Sequence, residues 1–212
     1  MSVNASADSD RDYDREPSDE QLAARQAELQ AEADAVSADL GLARLLSEQG
    51  EAVRVGSAAL GLMVVPDLDI TVICPELTEH TKRAVAEAGA RLAMHDRVRQ
   101  VCFRDDTGHW NTGPGYPDGL YLKVDCRSAA GREWTLDIWF VDEPDRQPDL
   151  AHVRTLPPRL TDAHRARILR IKQALALRPD GRGRVPSYEV YRAVLDGGAT
   201  TAEEFDRWYA RT

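Results

Sequence analysis

Residues 53–74, VRVGSAALGLMVVPDLDITVIC, decide how this chain is read. A short apolar stretch runs into Gly56-Ser57, nine residues follow, and Asp67-Leu68-Asp69 then opens a strongly β-forming run. Successive side chains of a strand point to opposite faces, so Asp67 and Asp69 share one face with Thr71 and Ile73. Leu68, Ile70, Val72 and Cys74 make the other, apolar face. Two carboxylates so placed repel each other unless a cation or a proton donor compensates. Beside them, Gly56 allows the backbone close to an anion, and Ser57 offers a hydroxyl and an N–H.

Two later strands repeat the pattern. In 120–126, Leu120, Leu122, Val124 and Cys126 face the core and leave Tyr121, Lys123 and Asp125 outward. In 133–141, Trp134, Leu136, Ile138 and Phe140 face inward, opposite Glu133, Thr135, Asp137, Trp139 and Val141. A sheet with one wet side ordinarily carries Asp and Lys there. Asp is nevertheless among the poorest strand formers, and Asp137 interrupts a Trp/Leu/Ile/Trp/Phe run. Three carboxylates on one sheet face form a hard oxygen site for Mg²⁺ or Mn²⁺. Two such ions can clamp the attacking and leaving oxygens of a phosphoryl displacement. The faces admit Asp125 as well as Asp137 for the third carboxylate. Trp134 and Phe140 read as core, and Trp139 shares the face of Asp137.

Outward from these strands, residues 1–17 form an acidic tail with no periodicity and are expected to be disordered. Ser18 with Gln21 is a capping box, opening a helix expected to run to about Gln49 and to stop at Gly50. The pattern predicts a strand over 52–55, a helical turn or loop over 58–65, a strand over 67–74 and a helix from Thr78 to His95. A strand at about 98–104 and a Gly/Pro-rich loop over 105–119 follow. Strands 120–126 and 133–141 make a hairpin turning near Gly131. Residues 142–158 read as irregular, and helices are predicted over 161–177, 187–195 and 201–211. The fold class is therefore α+β, a mixed sheet with flanking helices and a C-terminal helical appendage. The core with its N-terminal helix is assigned to 18–150 and the helical region to 151–212.

With 212 residues, the chain suits one medium domain or a core domain with a small appendage. No apolar run approaches the roughly 20 residues of a membrane span, and the N-terminus lacks a signal core, so a cytoplasmic protein is expected. Cys74, Cys102 and Cys126 sit in apolar, strand-like runs without CxxC spacing and read as small buried hydrophobes. Net charge is −9, unevenly spread. Residues 1–40 hold eleven Asp/Glu against three Arg, and residues 151–184 hold nine Lys/Arg against two Asp. The basic stretch is either a charged helix face or a wall that attracts phosphates.

Taken together, VRVGS at 53–57, the nine-residue spacer, DLDI at 67–70 and LDIWF at 136–140 resemble the nucleotidyltransferase superfamily related to DNA polymerase β. Gly61 fits a small residue often found after its Gly-Ser. The resemblance covers about residues 50–142 and implies metal-dependent attack on the α-phosphorus of a nucleoside triphosphate, with release of pyrophosphate. Carried over, Gly56 and Ser57 would hold the β- and γ-phosphates, and Asp67 and Asp69 would bind both metals. Asp137 would complete the catalytic metal site and orient or deprotonate the acceptor hydroxyl. Ala58-Ala59-Leu60 stand where many small members carry an Arg, so phosphate charge would fall to Lys123 or to Arg165, Arg170 or Lys172. The compact layout resembles aminoglycoside and lincosamide nucleotidyltransferases, implying Mg²⁺ or Mn²⁺, ATP as the favoured donor and a small-molecule acceptor. A tRNA or protein acceptor, a non-catalytic binding module and a homodimer are the alternatives kept.

Overall fold

A computed structural model describes residues 17–113, 115–178 and 185–212; most of the expected acidic tail and of the Gly/Arg loop after residue 178 lies outside them. Helix α1 (Asp19–Asp39) begins as its sequence dictates, the Ser18 hydroxyl accepting from the Gln21 N–H at 3.3 Å. It does not continue to Gln49. Gly41 takes φ +62°, a left-handed conformation that only Gly adopts without strain, and a separate α2 (Leu42–Ser47) follows. The apolar stripe runs on across this break because both helices pack on the same sheet.

Five strands make that sheet: β1 (Glu51–Arg54), β2 (Asp67–Ile73), β3 (Val98–Asp106), β4 (Gly119–Arg127) and β5 (Glu133–Val141), in spatial order β1-β2-β5-β4-β3. β2 and β5 run parallel, and the other pairs are antiparallel. Helices α3 (Gly56–Leu60) and α4 (Glu79–Ala93) join the first strands, α4 capped by Thr78 as expected. The face bearing Leu68, Leu122, Leu136, Ile138 and Phe140 packs under α1, α2 and α4 through Leu29, Val36, Leu46, Val85 and Leu92. Alternation alone therefore assigns the core side correctly.

The last helices are α5 (Pro148–Thr155), α6 (Asp162–Ala176), α7 (Ser187–Leu195) and α8 (Ala202–Tyr209). Helix α5 lies in a stretch expected to be irregular. Its Pro-rich start obscures it, although Pro at the first helical position lacks only an N–H that would be orphaned anyway. A second apolar cluster gathers Ile168, Ile171, Val190, Val194 and Phe205 with Leu60, Leu62 and Val64. Between those last two, Met63 turns into the sheet core instead. The spacer between Gly-Ser and Asp-x-Asp thus inserts into both cores. Cys102, expected to be buried, is exposed, because its register beside Lys123 puts it on the polar face of the edge strand β3. No described helix is long and apolar enough to cross a membrane.

Candidate active site

The parallel register of β2 and β5 places Asp69 directly beside Asp137 and Asp67 beside Thr135. Asp67, Asp69 and Asp137 each bring an oxygen within 4.8 Å of the others. Asp125 stands one strand further out and is turned to other partners. It pairs with Lys123 at 3.0 Å and accepts from the Thr135 hydroxyl at 3.3 Å. Of the two candidates for third carboxylate, the structure gathers Asp137 with the Asp67/Asp69 pair.

Burial, then mutual repulsion, sets the electrostatics. The carboxyl of Asp67 is pushed up to about 6 by burial and by the Asp137 charge, with Lys172 opposing. Asp69 rises further, to about 8, through burial and the charges of Asp67, Asp137 and Asp149. One oxygen of Asp67 is buried with no hydrogen-bond partner. Such an orphan is costly, and a cation at this point would satisfy it. The donor set is all carboxylate oxygen, which suits Mg²⁺ or Mn²⁺. The residues present fit a divalent metal.

Gly56 opens α3 at φ +62°, and a Cβ there would fall inside the Asp69 carboxylate. The backbone N–H of Val55 donates to the Asp69 carbonyl at 2.9 Å, fixing the turn against β2. Ser57 follows, almost fully buried. The Gly-Ser pair is thereby locked to the carboxylates.

Among the basic candidates, Lys172 lies nearly buried on α6, donates to the Leu62 carbonyl at 2.7 Å and stands 5.7 Å from the centre of the Tyr191 ring. Burial brings its ammonium down to about 8, against the pull of Asp69 and Asp67, so it is a positive charge within reach of the carboxylates. Arg165 instead donates to the Leu60 carbonyl, and Arg170 pairs with Asp19. Arg159 pairs with Asp196 at 2.5 Å and Arg178 with Asp206 at 2.8 Å. Much of the basic 151–184 stretch is therefore engaged in packing the helices together. Lys123 is half-exposed on the sheet face beside Asp137 in register.

An open cleft of ≈1540 Å³ separates the polar sheet face from α6 and α7. Asp67, Asp137, Lys123 and Thr135 line one wall, and Lys172, Ser187 and Val190 line the other. Two neighbours of the site escaped the sequence reading. Asp149, on α5, adds its charge to Asp69, and Tyr121 donates its hydroxyl to Asp137. Tyr121 was detectable in principle, since it shares the outward face of Lys123; Asp149 depends on where α5 packs.

This architecture is similar to that of a solved cytoplasmic RNA terminal U-transferase, with a TM-score of 0.53 and 16% identity. The match covers 83% of this chain and 54% of that one. Cid1, an RNA terminal uridylyl transferase, is also similar, with a TM-score of 0.47 and 16% identity over 84% of this chain and 47% of the other. The chain thus spans about half the length of the solved structures it matches. No protein-family model and no curated protein matches the sequence. What the chain shares with the first of these structures is the fold, a mixed sheet with flanking helices. Within that fold, Asp67, Asp69 and Asp137 lie together at one point of the sheet face.

Proposed function

We propose that the protein transfers a nucleoside monophosphate, AMP in preference, from its triphosphate to a hydroxyl of a small-molecule acceptor. The observation that carries this reading is the convergence of Asp67, Asp69 and Asp137 beside the Gly56-Ser57 turn, with one Asp67 oxygen orphaned. Gly56 and Ser57 hold the β- and γ-phosphates, with Lys172 and Lys123 supplying positive charge from the two walls of the cleft. Asp67 and Asp69 would hold the divalent ions, with Asp137 completing the catalytic site. The bound ions supply charge neutralisation at the α-phosphate and at the departing pyrophosphate. Asp137 orients the acceptor hydroxyl and takes its proton as the oxygen bonds to the α-phosphorus. The bond between that phosphorus and the bridging oxygen breaks, and pyrophosphate leaves.

An RNA acceptor is the second reading. In its favour, Arg97, Arg99 and Arg127 line the outer cleft. Against it, Arg97 pairs with Asp39 at 2.8 Å and Arg127 with Glu133 at 3.0 Å, so these charges are partly matched. Pyrophosphate release, measured with each nucleoside triphosphate and Mg²⁺ against aminoglycosides, lincosamides and total tRNA, decides between them. Release with small molecules alone supports the first reading, and salt-sensitive release with tRNA alone supports the second. Metal-dependent triphosphate binding without release in any mixture favours a binding module.

A further inference from the structure

Tyr121 sits on β4 opposite Trp139 of β5, one step along the face from the Lys123–Asp137 pair. Diagonal neighbours across a strand pair stand roughly 7–8 Å apart, within reach of an aromatic side chain but not of a short one. Tyr121 uses that reach, its hydroxyl donating to Asp137 Oδ1. Its ring packs on Trp139 with centroids 4.8 Å apart. The Arg104 guanidinium lies over the phenol, 4.5 Å from the ring centre. Arg104 is itself fixed, its Nε donating to both Asp106 oxygens at 2.9 and 3.1 Å. The edge strand β3 therefore reaches the triad through a chain of contacts: Asp106, Arg104, Tyr121, Asp137.

We propose that Tyr121 is the positioning residue of the third carboxylate: its hydroxyl sets the rotation of the Asp137 side chain, and the Arg104/Trp139 clamp holds the phenol in place. This rests on the reading of the triad as a metal site. A ligating carboxylate is seldom left to turn freely, because a partner outside the ligand set that fixes its orientation preserves affinity. Asp69 is held against the Gly56 turn. Asp137 lines the open cleft, and the Tyr121 hydroxyl gives it a directed donor. Phenol suits the task, being a neutral donor that adds no charge to compete with the metal. Lys123, the direct cross-strand neighbour, is held by Asp125 instead.

The test is Mn²⁺ titration of the full chain, with the paramagnetic signal of free Mn²⁺ as readout, for wild type, Tyr121→Phe, Tyr121→Leu and Asp137→Asn. Thermal melts check that each variant folds. Tyr121→Phe keeps the stacked ring and loses only the hydroxyl, so Mn²⁺ affinity should drop about 10- to 100-fold. Tyr121→Leu should lose about as much, and Tyr121→Phe added to Asp137→Asn should weaken binding no further. Wild-type affinity in Tyr121→Phe overturns the proposal, as does an additive loss in the double variant. A wild-type chain that binds no Mn²⁺ defeats the metal-site reading itself, and this inference with it.

Discussion

Replacing Asp69 by Asn should make the metal-free protein more stable, by an amount that depends on pH. In the folded chain Asp69 holds its proton up to about pH 8, whereas the unfolded chain releases it near 3.8. Between these values the folded state binds the extra proton, so stability falls as pH rises through the window. At ~1.4 kcal/mol per tenfold change in proton affinity, the full displacement corresponds to about 6 kcal/mol above pH 8. Asn keeps the shape and some of the polar burial cost, so the net gain at pH 8 should be about 2–5 kcal/mol. For a chain of this size that is roughly 5–15 °C in Tm. Near pH 4.5 the gain should shrink below about 1 kcal/mol, because Asp69 is protonated in the folded wild type. Mg²⁺ or Mn²⁺ should raise the wild-type Tm at pH 8 and move the variant much less. Scanning calorimetry at pH 4.5, 6 and 8, with and without metal, reads all of this. A variant less stable than wild type at pH 8, or a difference independent of pH, would refute the reasoning.

The other expectations concern single contacts. Gly56→Ala places a methyl group inside the Asp69 carboxylate at a left-handed backbone position, and should cost more than the ~1 kcal/mol of such a conformation alone while abolishing metal binding, read by melts and calorimetry. Gly41→Ala meets nothing within 4 Å and should show only that conformational cost, about 1 kcal/mol by denaturant titration, with metal affinity intact. Lys172→Met leaves the Leu62 carbonyl without its buried donor and should cost about 1–3 kcal/mol, together with a drop of about tenfold or more in ATP affinity. Asp125→Asn should leave Mn²⁺ affinity within about threefold of wild type, whereas Asp137→Asn should lower it by at least tenfold; equal effects would remove the distinction drawn between them.

Much of the site was legible because strand parity is a strict code. Once Asp67, Asp69 and Asp137 are placed by alternation, their shared face follows, and only the register decides whether they meet. That register comes from β2 and β5 running parallel, with Asp69 beside Asp137, and no local pattern specifies it. This is why Asp125 stayed a rival until the sheet order was known. The helix break at Gly41 was hidden because apolar spacing continues across it, and α5 because Pro at its start reads as a breaker. Cys102 differs for a third reason: it stands beside Lys123 on the polar face of an edge strand, and an apolar composition alone does not say which side a residue takes. Tyr121 and Lys172 show the same limit, since their partners lie 16 and 110 residues away in sequence.

Met63 sits in the sheet core while Leu62 and Val64, on either side of it, sit in the helical one. One consequence bears on how the chain can change. A residue inserted into or deleted from this spacer would exchange the occupants of two separate interiors at once, so spacer length here is a mechanical constant. The Lys172 ammonium is anchored to the Leu62 carbonyl in that same segment, so fraying of α6 would withdraw a charge from the carboxylates as well as open a core. Hydrogen exchange should then show β2 and α6 opening together, as one cooperative unit. Variation in what the cleft accepts falls to its outer wall, around Arg97, Arg99 and Arg127, away from the segment that serves both interiors.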